Sequence, residues 1–260
     1  MGGVLTTVVK IGGSMAEDLT CLSQLAADLA ALANSAHRVA LVHGGGKDIN
    51  RNLKWLDQEP RFVDGLRVTD EAAMDIVEMT LSGRVNKLLV RLLLQAGAVP
   101  VGLSGVDAGL FRATPLREDG ALGRVGSVTS VRTTLLETLW SGGFLPVVSP
   151  VSLGPDGQSW NVNADDAAAA LASSLKANTL VYISDVPGVL ENGTRIPSLN
   201  SAGVEDLVER GVASGGMIPK LRGCVQTLAA GVETVSVAGW SGPGGLAAIL
   251  SGQTGTVLRL

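Results

Sequence analysis

The chain has 260 residues, 46% of them hydrophobic and 17% charged, with a net charge of −4. That supports one large α/β domain or two lobes around a sizeable core. It excludes a nucleic-acid binder, because no lysine or arginine cluster offers a footprint for a phosphate backbone. Cys21 and Cys224 are the two cysteines; they lie far apart in no metal spacing, which fits a reducing compartment. The segment MGGVLTTVVKIGGS runs into a strand pattern without a charged leader or cleavage site, and no stretch reaches the roughly 20 apolar residues that span a bilayer. The expectation is a soluble, cytoplasmic protein.

In chain order, the first predicted strand is TTVVKI (6–11), followed by Gly12-Gly13 and a helical pattern over 15–35. Lys10 stands inside this apolar run near its carboxyl end. A lysine there can snorkel past a sheet edge, yet ligand sites in parallel α/β sheets lie beyond the carboxyl ends of strands. Beside glycine turns, such a lysine makes a phosphate pocket, and that reading is preferred.

The next strand, RVALVH (38–43), ends in Gly44-Gly45-Gly46 before a helix over 47–58. A Walker loop needs a glycine five positions before the Gly46-Lys47 pair and Ser or Thr after it; Leu41 and Asp48 stand there. A dinucleotide fingerprint needs glycine at Ile49. Both fail, leaving a strand, a glycine turn and a helix N-terminus, which suits an anion but also suits a plain tight turn. GLRVTD (65–70) follows. Thr69 or Asp70 can cap the helix predicted over 70–96, and the fork of Arg67 suits a carboxylate, with a solvated loop arginine as the competing reading.

AVPVGL (98–103) reads as a strand, 104–128 as β-hairpins projecting from the sheet, 130–142 as a helix and FLPVVS (144–149) as a strand. NVNADDAAAALASSLKA (161–177) places Asn163 as N-cap of a helix over 164–176, with Asp165 and Asp166 in the favourable first turn. Asn161 and Asn163 share one face of an extended segment, so paired amides for a polar substrate remain an equal alternative. TLVYIS (179–184), a helix over 202–211, a helix over 218–231, ETVSVA (233–238) and a helix over 243–251 complete the chain. In SGGMIPK (214–220), Pro219 suits a first helical turn and puts Lys220 there too. A cation at that end opposes the helix dipole by about 0.3–1 kcal/mol, a cost that gripping a phosphate would explain. Apolar strands alternating with amphipathic helices give an α/β protein with a mostly parallel, doubly covered sheet. A soft boundary falls near 175–179.

VVKIGGS, LVHGGGKDIN, GLRVTD, EAAMDIVEMTLSGRVNKLLV, VGLSGVDAG, LPVVSPV, DGQSWNVNADDAAAA, ISDVPGVL and SGGMIPK together resemble, in order and over nearly the whole chain, the acetylglutamate kinases of the amino acid kinase family. The resemblance implies a three-layer α/β/α sandwich on a mostly parallel sheet of about eight strands. Its N-terminal lobe (1–176) would bind the amino acid and dimerise, and its C-terminal lobe (177–260) would bind ATP. It implies ATP-dependent phosphorylation of the side-chain carboxylate of N-acetyl-L-glutamate, the second step of arginine biosynthesis.

By the same resemblance, Lys10 and Lys220 stabilise the transferring phosphoryl group and Asp165 organises them. Gly12, Gly13, Gly44 and Gly45 donate N–H groups to phosphates and to the substrate's reacting end. Arg67 clamps the α-carboxylate, and Asn161 and Asn163 bind the substrate. Asp185, Gly188, Gly216 and Met217 belong to the nucleotide site. Magnesium would accompany ATP, held mainly by phosphates and water, with no protein ligand named. The chain departs from many relatives at AGWSGPGGLAA (238–248), where they have an aspartate-glycine-arginine stretch, and at Lys47 and Asp48. A carrier-protein-linked aminoadipate or glutamate kinase is the nearest alternative, against which the absence of an insertion before Arg67 and the NAD at 163–165 speak. A non-catalytic amino-acid sensor on the same fold is the other. The five residues ahead of the first strand leave no interlocking helix, so a homodimer through 70–96 with little inhibition by arginine is expected.

Overall fold

The computed structural model describes residues 4–12, 18–35 and 37–260. Its strands are β1 (Leu5–Ile11), β2 (His37–His43), β3 (Phe62–Val63), β4 (Leu66–Arg67), β5 (Pro100–Ser104), β6 (Phe111–Pro115), β7 (Val125–Val131), β8 (Leu145–Ser149), β9 (Val151–Leu153), β10 (Ser159–Val162), β11 (Thr179–Ile183), β12 (Leu190–Glu191), β13 (Thr194–Arg195), β14 (Ser198–Leu199), β15 (Thr234–Ala238) and β16 (Thr256–Leu258). The helices are α1 (Leu19–Ala33), α2 (Gly46–Trp55), α3 (Glu71–Glu78), α4 (Asn86–Gln95), α5 (Thr134–Ser141), α6 (Ala164–Leu175), α7 (Ser201–Glu209), α8 (Met217–Ala229) and α9 (Gly245–Leu250).

Eight strands form one sheet in the order β14-β16-β15-β11-β1-β2-β8-β5, and only the β15–β16 pair is antiparallel. Successive residues of each central strand alternate between two cores, as the pleat requires. Val8, Ala40, Val42, Val148 and Leu180 face α5, α6 and α8, whereas Val9, Leu41, Val147 and Val181 face α1, α4 and α9. Helices on both faces give the expected α/β/α sandwich. β1 is the topological centre. The chain up to residue 149 builds outward from it through β2, β8 and β5, and the remainder builds the other way from β11. The crevice beyond the carboxyl ends of β1 and β11 is therefore the switch point where such sheets bind ligands.

Several expectations need correction. The 104–128 region contributes an antiparallel pair, β6 and β7, but β7 runs on to Val131, so the next helix begins at Thr134 rather than 130. β9 and β10 close this pair into a small four-stranded barrel. β14 and β16, too short to show a pattern, complete the main sheet. The helix expected over 70–96 runs from Glu71 to Gln95, and its middle seven residues, Met79–Val85, are π-helical. The divergent AGWSGPGG segment also has a structural account. Asp28 of α1 accepts from Trp240 Nε1 at 2.9 Å and from the Gly244 and Leu246 amides at 2.8 and 3.1 Å, tying the start of α9 to α1.

Candidate active site

Three charges meet above the switch point. Lys10 sits one residue before the end of β1, on the sheet face that packs against α6 and α8. Asp165 is in the first turn of α6, whose N-cap Asn163 accepts from the Asp165 amide at 2.7 Å. Lys220 lies in the first turn of α8, where no acidic residue offsets it. Asp165 Oδ1 stands 2.6 Å from Lys10 Nζ and Oδ2 stands 3.1 Å from Lys220 Nζ, so one carboxylate bridges both ammonium groups. Burial alone would raise the Asp165 pKa, but the two lysines outweigh it and hold the carboxyl below its usual range. Asp165 therefore stays an anion held between two cations whose charges together exceed its own.

Arg67 approaches from a hairpin that composition did not flag. β3 and β4 are joined by Asp64-Gly65, both at positive φ (51° and 78°), the backbone an Asp-Gly two-residue turn favours. The register pairs Arg67 with Phe62, and the guanidinium stacks 4.9 Å from the ring centroid. Its Nη2 donates to the Gly46 carbonyl at 3.1 Å and to Asn50 Oδ1 at 2.6 Å, while Nη1 is buried without a partner. Burial lowers the Arg67 pKa. An entering carboxylate would satisfy Nη1 and offset that desolvation. Behind the hairpin, the buried Thr69 donates to the Arg67 carbonyl and accepts from Asn161 Nδ2, each at 3.0 Å. Phe62, Asn50 and Thr69, which touch Arg67 here, were not singled out as site residues from the sequence; the Asp-Gly turn was the available signal for Phe62, and none existed for the other two.

Two cavities share this site. One, of about 270 Å³, is lined by Gly44, Gly45, Arg67, Asn161 and Asn163, and the other, of about 400 Å³, by Gly12, Asp185 and Lys220. Lys10, Gly46, Phe62 and Arg67 line both, so the cavities meet at Lys10. A larger cavity, about 540 Å³, opens behind the glycine turns among α1, α2 and α4, but neither lysine nor Asp165 lines it.

The glycines divide by cause. The Gly44 amide donates to the Ile11 carbonyl at 3.2 Å, fastening the turn to the end of β1, and Gly44 lines the smaller cavity. Gly45 precedes α2 without a side-chain cap, so the first-turn amides of α2 gain no partner from it, and Gly46 lines both cavities. A Cβ on Gly45 would meet Leu81 Cδ2 at 2.7 Å and Val85 Cγ2 at 3.2 Å, so packing against the π-helical segment favours glycine there. Gly13 lies outside the described residues. Gly188 lines neither cavity; its φ is 143°, and a Cβ added there would come within 2.8 Å of Thr256 Oγ1, which accounts for glycine at this position. Gly216 and Met217 begin α8 next to Lys220 without lining either cavity.

The amino acid kinase family model matches residues 5–239. The chain belongs to the amino acid kinase family. It is 44% identical to the acetylglutamate kinase of Rubrobacter xylanophilus, covering 98% of this chain and 97% of the relative. It is 45% identical to the acetylglutamate kinase of Chloroflexus aurantiacus, covering 91% and 92%. Among solved structures, smu.665 from Streptococcus mutans superposes with a TM-score of 0.79 at 30% identity over 98% of each chain. As in an amino acid kinase, the site is one of positioned charges at a sheet's carboxyl edge.

Proposed function

We propose that this amino acid kinase transfers the γ-phosphoryl group of ATP to the side-chain carboxylate of N-acetyl-L-glutamate, forming the acyl phosphate, the second step of arginine biosynthesis. The observation that carries the mechanism is the meeting of the two cavities at Lys10, with an unsatisfied arginine nitrogen on the amino-acid side and Lys220 on the other. The smaller cavity takes the acetylated amino acid, its α-carboxylate on Arg67 and its polar edge on Asn161 and Asn163. The larger takes the triphosphate, along Gly12, Gly46 and Asp185. The acceptor carboxylate is ionised at neutral pH, with an ordinary pKa of about 4.3, so the reaction needs no general base.

The barrier is then one of alignment and charge. As the phosphoryl group passes between oxygens, negative charge spreads over its equatorial oxygens. Lys10 and Lys220 offset that charge, and Asp165 holds the two ammonium groups at fixed separation before substrate arrives. Magnesium would enter with the nucleotide, held mainly by phosphates and water. Two lobes divide the labour, residues 1–176 for the amino acid and 177–260 for ATP, and two copies pair along the α3–α4 helix. No helix among the described residues is long and apolar enough to cross a membrane, and a cytoplasmic reaction is part of the same reading. ADP release measured in parallel with N-acetylglutamate, N-acetylaminoadipate and glutamate tests the assignment. N-acetylglutamate should give the highest kcat/KM, and preference for either other acceptor would refute it.

A further inference from the structure

Tyr182, the chain's single tyrosine, lies near the carboxyl end of β11, directly opposite Lys10 in register and 3% exposed. Filling space between sheet and helices requires only Leu or Phe, the kind of residue at Leu180 beside it. A hydroxyl buried here costs free energy unless bonded. It is bonded: the Tyr182 O–H donates to the main-chain carbonyl of Asp165 at 3.3 Å, and Lys220 Nζ lies 5.5 Å from the ring centroid. One side chain thus touches the start of the helix that carries the bridging carboxylate and also one of the ammonium groups it bridges. Burial raises the phenol's pKa, so it remains a neutral donor. One turn beyond Lys220, burial likewise pushes the Cys224 thiol up to about 12, leaving no second anion against the lysine from that side.

We propose that Tyr182 is a positioning residue for phosphoryl transfer, its ring seating the Lys220 ammonium and its hydroxyl holding the first turn of α6. An aromatic face attracts an ammonium without neutralising it. A second carboxylate at this place would hold Lys220 as firmly but remove the charge that the phosphoryl oxygens need. The proposal rests on the reading of Lys10, Asp165 and Lys220 as the catalytic charges.

Steady-state kinetics of Tyr182→Phe and Tyr182→Leu, each alone and combined with Lys220→Met, test it. Phe keeps the ring and should lower kcat about threefold, Leu removes both contacts and should lower it about 30-fold, and both KM values should stay within about twofold. In the Lys220→Met background, which itself loses about 100-fold or more, Tyr182→Leu should cost less than about threefold, because it acts through a lysine no longer present. Should Leu not fold, Phe decides through the hydroxyl alone: kcat should fall about threefold with both KM values held, and an unchanged kcat would overturn the hydroxyl's hold on the first turn of α6. An unchanged kcat in Tyr182→Leu, raised KM alone, or a full additional loss beside Lys220→Met would overturn the Tyr182 role and leave the catalytic charges standing. A near-normal kcat in Lys220→Met would instead overturn the charges and the proposal with them.

Discussion

Arg67 holds one guanidinium nitrogen on Gly46 and Asn50 and keeps the other buried and unpaired. Such a group gains most from a carboxylate that arrives and stays through the reaction, so Arg67→Ala should raise KM for N-acetylglutamate about 10- to 100-fold with kcat and the ATP KM little changed. Equal effects on both substrates would point to a folding role. His43 makes the opposite case, a titratable residue whose task is structural. It is fully buried, and Asn86 Nδ2 donates to its Nε2 at 3.1 Å, so the ring proton resides on Nδ1 and is given to the Gly44 carbonyl at 3.0 Å. The Asn86 amide is itself oriented by Lys87, which donates to its Oδ1 at 3.0 Å. Burial pushes the His43 pKa from 6.5 down to about 4. The unfolded chain then binds the proton more tightly than the native one. The contribution is complete above about pH 6.5 and is lost as pH falls toward 4, up to about 3 kcal/mol. Urea midpoints measured from pH 7 to 4.5 should fall across that window and flatten in His43→Gln. A wild-type profile already flat there would refute the burial of a neutral imidazole.

At the scale of elements, the turn from β2 into α2 and the π-helical segment are built against each other. Gly45→Ala would drive a Cβ into Leu81, a clash worth about 1–3 kcal/mol, whereas a Cβ on Gly46 meets nothing within 4 Å. Gly45→Ala should therefore lower Tm by several degrees and Gly46→Ala by little; equal melting of the two would contradict the packing. This level also shows what could be read from the sequence. The long strands were legible, because a strand covered on both faces is a continuous apolar run. Lys220 was legible because it stands where the helix dipole opposes it. β9, β14 and β16 were not, since three or fewer residues carry no period and their pairing comes from distant chain. The π-helical segment has no periodic signature of its own, and its proximity to Gly45 is a tertiary fact. Thr69 contacts Asn161 across 92 positions and Tyr182 contacts Asp165 across 17, contacts that become visible only when the fold assembles them. At Asn163 the geometry shows the side-chain oxygen capping α6 while the residue also lines the smaller cavity, so the cap does not displace the substrate reading.

For the whole molecule, the switch point at β1 and β11 sets two cavities side by side, with Lys10 of the central strand lining both. Both halves of the chain contribute to each, Asn161 and Asn163 joining Gly44 and Arg67 around one and Asp185 and Lys220 joining Gly12 and Gly46 around the other. The continuous helix from Glu71 to Gln95 leaves Met79 and Leu94 more than half exposed, apolar surface that pairing with a second copy would cover. Light scattering should give twice the 26.5 kDa chain mass, and Met79→Asp should shift it toward monomer; a monomeric or hexameric wild type would contradict that assembly. The central claim is that the bond made joins phosphorus to a carboxylate oxygen of N-acetylglutamate. An acyl phosphate is captured by hydroxylamine as a stable hydroxamate, whereas a phosphorylated hydroxyl or simple ATP hydrolysis is not. With ATP, magnesium and N-acetylglutamate present, hydroxamate should form in step with ADP. ADP released without hydroxamate would contradict the account.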